Sequence, residues 1–216
     1  LVGEWIAAGR PLHPIGSAFD VSVAELCRKY WQFAKGYYVK NGKPTATQYG
    51  IKMTIKMLRT NYGPTRASLF GPLALKALQQ SMISDGMSRR YINDHADRIR
   101  RIFKWAVGEE LVPPSVHQAL TAVPGLRKGR TAARETKPIA PVSDAVIDRM
   151  LDHLTPVVAD MVRFQRFTGC RPGEVCIIRP CDVDRSDDIW EFRPVEHKTE
   201  HQDRDRVVFI GPRAQE

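Results

Sequence analysis

No run of apolar residues in this 216-residue sequence approaches the roughly 18 that a membrane span needs. The opening stretch LVGEWIAAGRPLHP lacks the basic start, long apolar middle and small-residue cleavage site of a secretory signal. The four cysteines, Cys27, Cys170, Cys176 and Cys181, form no CxxC pair and show no Cys/His ligand spacing. Neither an internal repeat nor a low-complexity tract is present. These absences argue against a membrane span, a secreted disulfide scaffold and a repeat array. The expectation is a cytoplasmic protein with reduced, partly buried thiols, zinc being the alternative reading of the cysteines. At 24.5 kDa the chain has room for two small domains.

What is present in excess is positive charge, and it is unevenly placed. Residues 1 to 142 hold 22 Lys and Arg against 9 Asp and Glu, whereas residues 143 to 216 hold 11 against 15. The cationic surface therefore belongs to the first part of the chain. A field of that sign attracts polyanions, with nucleic acid ahead of an anionic membrane; a mere solubility device is the plainer alternative.

Periodicity and breakers divide the chain further. After an irregular tail over residues 1 to 20, a first helix is predicted from Ser22 to about Val39, rich in aromatics and ended by NGKP. A second runs from about Thr45 to Tyr62, with Ile51, Ile55 and Leu58 on one side and a stripe of Lys52, Lys56 and Arg59 on another. A third follows Pro72 and stops at Asp85-Gly86. Ser88 caps a fourth, extending to Leu111, in which Ile92, Ala96, Ile99, Phe103 and Ala106 fall on one face. Arg89, Arg90, Asn93 and Arg101 lie on its other faces, and PPSVHQALTAV adds a short final helix.

Residues 124 to 142 carry five basic residues (Arg127, Lys128 and Arg130 among them), three prolines, two glycines and almost nothing to bury, so they read as a basic linker. Beyond it Ser143 caps a helix with Val146, Ile147, Met150, Leu151 and Leu154 on one side, and Pro156 opens another that ends at Gly169. Ile189 to Val195 and Arg206 to Ile210 then flank the polar HKTEHQDRD as a β-hairpin with a long charged tip. The expected domains are a helical one over 21 to 123 and an α+β one over 143 to 216.

Within the second of them, between the Pro156 helix and the hairpin, stands TGCRPGEV. Arg171 precedes Pro172-Gly173-Glu174, where proline suits the first helical position and a glutamate suits the first turn. Free backbone N–H groups at such a terminus, together with a planar guanidinium, would grip an anion such as phosphate. Taken alone the residues admit a second reading equally well, with Arg171 as structural glue for Glu174.

The order of these features resembles the tyrosine recombinase (phage integrase) family. TGCRPGEV resembles that family's first-arginine box, HKT its hairpin lysine, and SRRYINDHADRIRRIFKWAVGEELVPPS the last long helix of its core-binding domain. The resemblance covers residues from about 20 to 216. It implies a mainly α protein: a four-helix (SAM-like) core-binding domain, then the first part of a mixed α+β catalytic domain with a small antiparallel sheet. It implies attack by a tyrosine on a DNA phosphodiester, with no metal or other cofactor. Arg171 would neutralise the nonbridging oxygens, Lys198 would protonate the leaving oxygen, and Glu174 would orient Arg171. Double-stranded DNA would be the partner, clamped in a C shape, and a tetramer on paired sites the assembly. Lys52, Lys56, Arg59, Arg89, Arg90, Asn93, Arg101, Arg127, Lys128 and Arg130 would contact DNA, mostly at phosphates.

One departure matters. The family also uses a helical His-x-x-Arg box and a late tyrosine, and no tyrosine follows Tyr91. His201-Gln-Asp-Arg204 lies three residues past Lys198, and His95-Ala-Asp-Arg98 lies in the helical domain, so neither suits that box. The expectation is a chain that stops partway through the catalytic domain and binds DNA without cutting it. The rival reading is a catalytically inactive DNA-binding regulator on the same fold.

Overall fold

The computed structural model describes residues 21 to 194 and 206 to 215. Ser22 opens helix α1 (Val23–Tyr37) with a capping box: its Oγ accepts from Glu25 N at 3.2 Å, while Glu25 Oε2 accepts from Ser22 N at 2.8 Å. Val23, Leu26, Cys27, Tyr30 and Ala34 are buried along one stripe of α1. Its aromatic load divides. Tyr30 enters the core, whereas Phe33 stacks between Tyr37 and Trp105 at centroid distances of 5.0 and 5.5 Å.

The NGKP stretch is more than a helix stop. Asn41 and Gly42 take φ of 51° and 73°, the paired left-handed geometry of a tight hairpin turn, and join strands β1 (Val39–Lys40) and β2 (Lys43–Pro44). Helix α2 (Ala46–Tyr62) then buries Ile51, Thr54, Ile55 and Leu58 and packs on α1. Helices α3 (Pro72–Ser84), α4 (Arg89–Gly108) and α5 (Pro114–Thr121) complete the helical unit. Helix α4 is its spine, placing Ile92, Ala96, Ile99, Ile102, Phe103 and Ala106 in one core with Phe70 stacked on Phe103 at 5.0 Å. It ends three residues before the predicted Leu111, where Glu110 turns left-handed at φ 54°.

The chain divides at Pro138 and Ile139, so much of the predicted linker belongs to the helical unit. Ala133 is buried in the core and Leu126 packs against it. Arg89 N donates to Arg134 O at 2.9 Å, and Arg134 Nε donates to Gly86 O at 3.2 Å. A segment with few apolar residues is thus held mainly by polar contacts to α4 and the turn before it.

The second unit holds α6 (Asp144–Leu151), α7 (Pro156–Thr168) and the single turn α8 (Pro172–Val175). Three short antiparallel strands follow in the order β3 (Val183–Asp184), β4 (Trp190–Phe192), β5 (Val208–Ile210). The hairpin strands pair with Trp190 opposite Ile210 and Phe192 opposite Val208; β3 adds an edge that its two-residue length hides from pattern reading. Their inward residues Phe192, Val208 and Ile210 form the core with Cys170 and Val175. The apolar side predicted for α6 is not buried: Val146 and Met150 stay 43% and 41% exposed. What ties α6 to α7 is Arg166, which bridges Asp144 at 3.0 Å and Asp148 at 2.7 Å.

All four cysteines are free, Cys27 and Cys170 buried, Cys176 and Cys181 exposed. No group of three or more His, Cys, Asp or Glu capable of holding a metal ion occurs among the described residues. None of their helices is long and apolar enough to cross a membrane.

Candidate phosphate and nucleic-acid contact sites

Gly169 closes α7 at φ 64°, a left-handed cap that only glycine adopts without strain. The chain turns there so that Cys170 enters the core and Arg171 stands at the mouth of α8. Glu174 reaches back across the turn: its Oε2 accepts from Arg171 N at 2.8 Å and its Oε1 from Arg171 Nη1 at 2.9 Å. Sequence order invites the idea of free N–H donors at this terminus, and the structure removes two of them. The Arg171 N–H is taken by Glu174, and Pro172 has none to give.

A second arginine joins the site. Arg206 Nε donates to Glu174 Oε1 at 3.2 Å and its Nη2 to Oε2 at 3.1 Å. The Glu174 side chain is 5% exposed, against 30% for Arg206 and 44% for Arg171. Burial pushes the Glu174 carboxyl up, but the hydrogen bonds from Arg206 and Arg171 outweigh it and hold the group below its ordinary value. The same ion pair raises the Arg206 guanidinium above its ordinary range. Sequence reading missed Arg206 because it adjoins the charged hairpin tip and its partner lies 32 positions earlier. A basic residue just ahead of the apolar run VVFI was the available signal. Lys198, with Thr199, His201 and Arg204, lies outside the described residues.

On the helical unit, Lys52, Lys56 and Arg59 of α2 line one open groove with Trp31, Tyr49 and Met53, about 960 Å³ in volume. Arg90 and Arg101 of α4 are exposed, as are Arg127, Lys128 and Arg130 beyond it. Arg89 and Asn93 have structural partners. Arg89 pairs with Glu135 through Nε and Nη2 and donates from Nη1 to Leu126 O. The Asn93 amide clasps one residue from both sides, Nδ2 donating to Leu126 O at 3.0 Å and Oδ1 accepting from Leu126 N at 2.8 Å.

The letters His95-x-x-Arg98 serve helix packing. His95 is 3% exposed, its Nδ1 lies 2.8 Å from Thr54 Oγ1, and Tyr91 meets its ring edge-on at 4.4 Å. Burial, with the Arg98 charge beside it, brings its pKa down to about 4. The Arg98 guanidinium lies so close to Gly50 that any Cβ there would meet it at 2.8 to 2.9 Å.

The fold matches known structures although overall sequence similarity does not reveal it. No protein-family model and no curated protein matches the sequence. Solved structures share its fold. The integrase of transposon Tn1549, in complex with circular intermediate DNA, aligns over 90% of this chain and 62% of its own at 17% identity, with a TM-score of 0.61. A lambda integrase dimer bound to a COC′ core site covers 97% of this chain and 56% of its own at 13% identity, with a TM-score of 0.67. The chain has the integrase fold. A lambda integrase tetramer bound to a Holliday junction aligns equally well, at 15% identity and a TM-score of 0.67. This chain spans 56 to 62% of the length of these integrases.

Proposed function

We propose that the chain is the DNA-gripping part of a cytoplasmic site-specific recombinase of the tyrosine type, one that breaks and rejoins DNA through a phosphotyrosine intermediate. The observation that carries the reading is its fold likeness, over nearly its whole length, to integrases solved on DNA. In this reading Arg171 neutralises the charge that builds on the nonbridging oxygens, and loss of one such preorganised donor costs on the order of 10² to 10³ in rate. Glu174 aims it, and Lys198 delivers the proton to the leaving oxygen. Lys52, Lys56, Arg59, Arg90, Arg101, Arg127, Lys128 and Arg130 supply phosphate contacts. Arg89 and Asn93 shape that surface from beneath through Glu135 and Leu126. A tetramer on paired sites is the working assembly.

A second reading is an inactive DNA-binding regulator on the same fold, which needs only the basic groove of Lys52, Lys56 and Arg59. Both readings require DNA binding. Each neutralised phosphate steepens the log–log salt dependence by about 0.9. Replacing Lys52, Lys56 and Arg59 together by glutamine should therefore flatten the slope for duplex DNA by about 2 to 3. An unchanged slope would remove α2 from the interface. The product of the whole reading frame on a nicked suicide duplex separates the two readings: a gel-stable covalent adduct marks the recombinase, and bound but uncut DNA marks the regulator.

A further inference from the structure

We infer that Arg206 is the positioning residue that leaves Arg171 available to an anion, by taking over the carboxylate that would otherwise consume it. The inference rests on the reading of Arg171 as a phosphate grip and adds a residue to it.

The geometry of Glu174 distinguishes the two guanidiniums. Arg206 engages it through the Nε–Nη2 edge, one bond to each oxygen, which is the bidentate fork that a planar guanidinium and a carboxylate form best. Arg171 spends one side-chain bond, from Nη1, together with its backbone N–H. Its Nε edge and Nη2 make no hydrogen bond to Glu174, and its side chain is the most exposed of the three. Each carboxylate oxygen thus accepts once from each arginine, so a shift of Arg171 toward a fuller grip on Glu174 would have to displace Arg206.

Charge leads to the same place. Arg171 with Glu174 is a neutral pair with little pull on phosphate. Arg206 brings the cluster to a net +1, and the more exposed guanidinium presents it. A unit charge about 6 Å from a ligand is worth about threefold in affinity even in a water-like medium. Arg206 stands two residues ahead of β5 and Glu174 lies in α8, so the fork also pins the sheet to the turn that carries Arg171. The site therefore depends on the strand as well as on its own loop.

The test uses the 216-residue chain labelled with ¹³C at glutamate carboxyls and ¹⁵N at arginine, titrated with inorganic phosphate. In Arg206→Gln the Glu174 carboxyl should titrate at higher pH, and the phosphate response of the Arg171 Nε–H should weaken about threefold, the value of the lost charge. Adding Glu174→Gln to that variant returns the net charge to +1 and should restore much of the response. Arg206→Lys, which keeps the charge, should hold both signals near wild type and serves where the glutamine variant folds poorly. Melting curves identify which variants remain folded. A folded Arg206→Gln chain with an unmoved Glu174 titration and an unmoved Arg171 response would overturn the inference. If wild-type Arg171 ignores phosphate altogether, the proposed grip fails, and the Glu174 titration alone then decides whether Arg206 holds the carboxylate.

Discussion

Acidifying the helical unit from pH 7 to pH 5 should cost about 2 kcal/mol of folding stability through His95 alone. The ring is buried between α2 and α4, and its pKa falls from 6.5 to about 4. An unfolded chain takes up a proton at His95 below pH 6.5, whereas the folded chain takes it up only near 4. Between those values the unfolded state binds more protons, so stability falls as the pH falls through the window. At 1.36 kcal/mol per pH unit, the loss is nearly nothing at pH 7, about 2 kcal/mol at pH 5, and tends to about 3 kcal/mol below pH 4. That is a large share of the roughly 5 to 15 kcal/mol by which a domain is stable. Urea unfolding at half-unit pH steps, for wild type and His95→Gln, measures it. Glutamine keeps a polar partner for Thr54 and cannot charge, so subtracting its curve cancels every other titrating group. A difference curve that stays flat from pH 7 to pH 5 would refute the reasoning.

Asn93→Ala strips both hydrogen bonds from Leu126, and the chain should lose about 1 to 3 kcal/mol of stability. Faster hydrogen exchange at Leu126 N–H should accompany the lower melting temperature, and unchanged values of both would leave Asn93 no structural role. In the native chain a thiol reagent should modify Cys176 and Cys181 within minutes. Cys27, fully buried with its pKa pushed up to about 12, and Cys170 should respond only after denaturation; four fast thiols would contradict the packing.

Local signals carried most of the helix boundaries. Ser22, Ser88, Pro72, Pro156 and Gly169 each act within a turn of their own position, and each opens or closes the helix that it marks. The Arg171–Glu174 pairing was legible for the same reason, being a contact at i, i+3. What composition could not convey was contact at a distance. Residues 124 to 135 read as linker because they have little to bury, yet Asn93, Arg89 and Gly86 hold them from 33 to 48 positions earlier. Arg206 was obscured by the same kind of separation. The apolar side of α6 shows the opposite failure, since a periodic pattern identifies a face without saying whether anything covers it.

The anchoring of Leu126, Arg134 and Glu135 also resets a length. Had all of residues 124 to 142 been unattached, the tether between Val123 and the cap of α6 could reach about 65 Å fully extended. With Glu135 fixed to Arg89, only residues 136 to 142 remain, and their reach is about 24 Å. Because that pin is an exposed ion pair, added salt weakens it. Its loss frees little more than Glu135 itself, because Ala133 in the core and the Arg134 bonds to Arg89 and Gly86 still hold that end, so the leash keeps its short length as the salt rises.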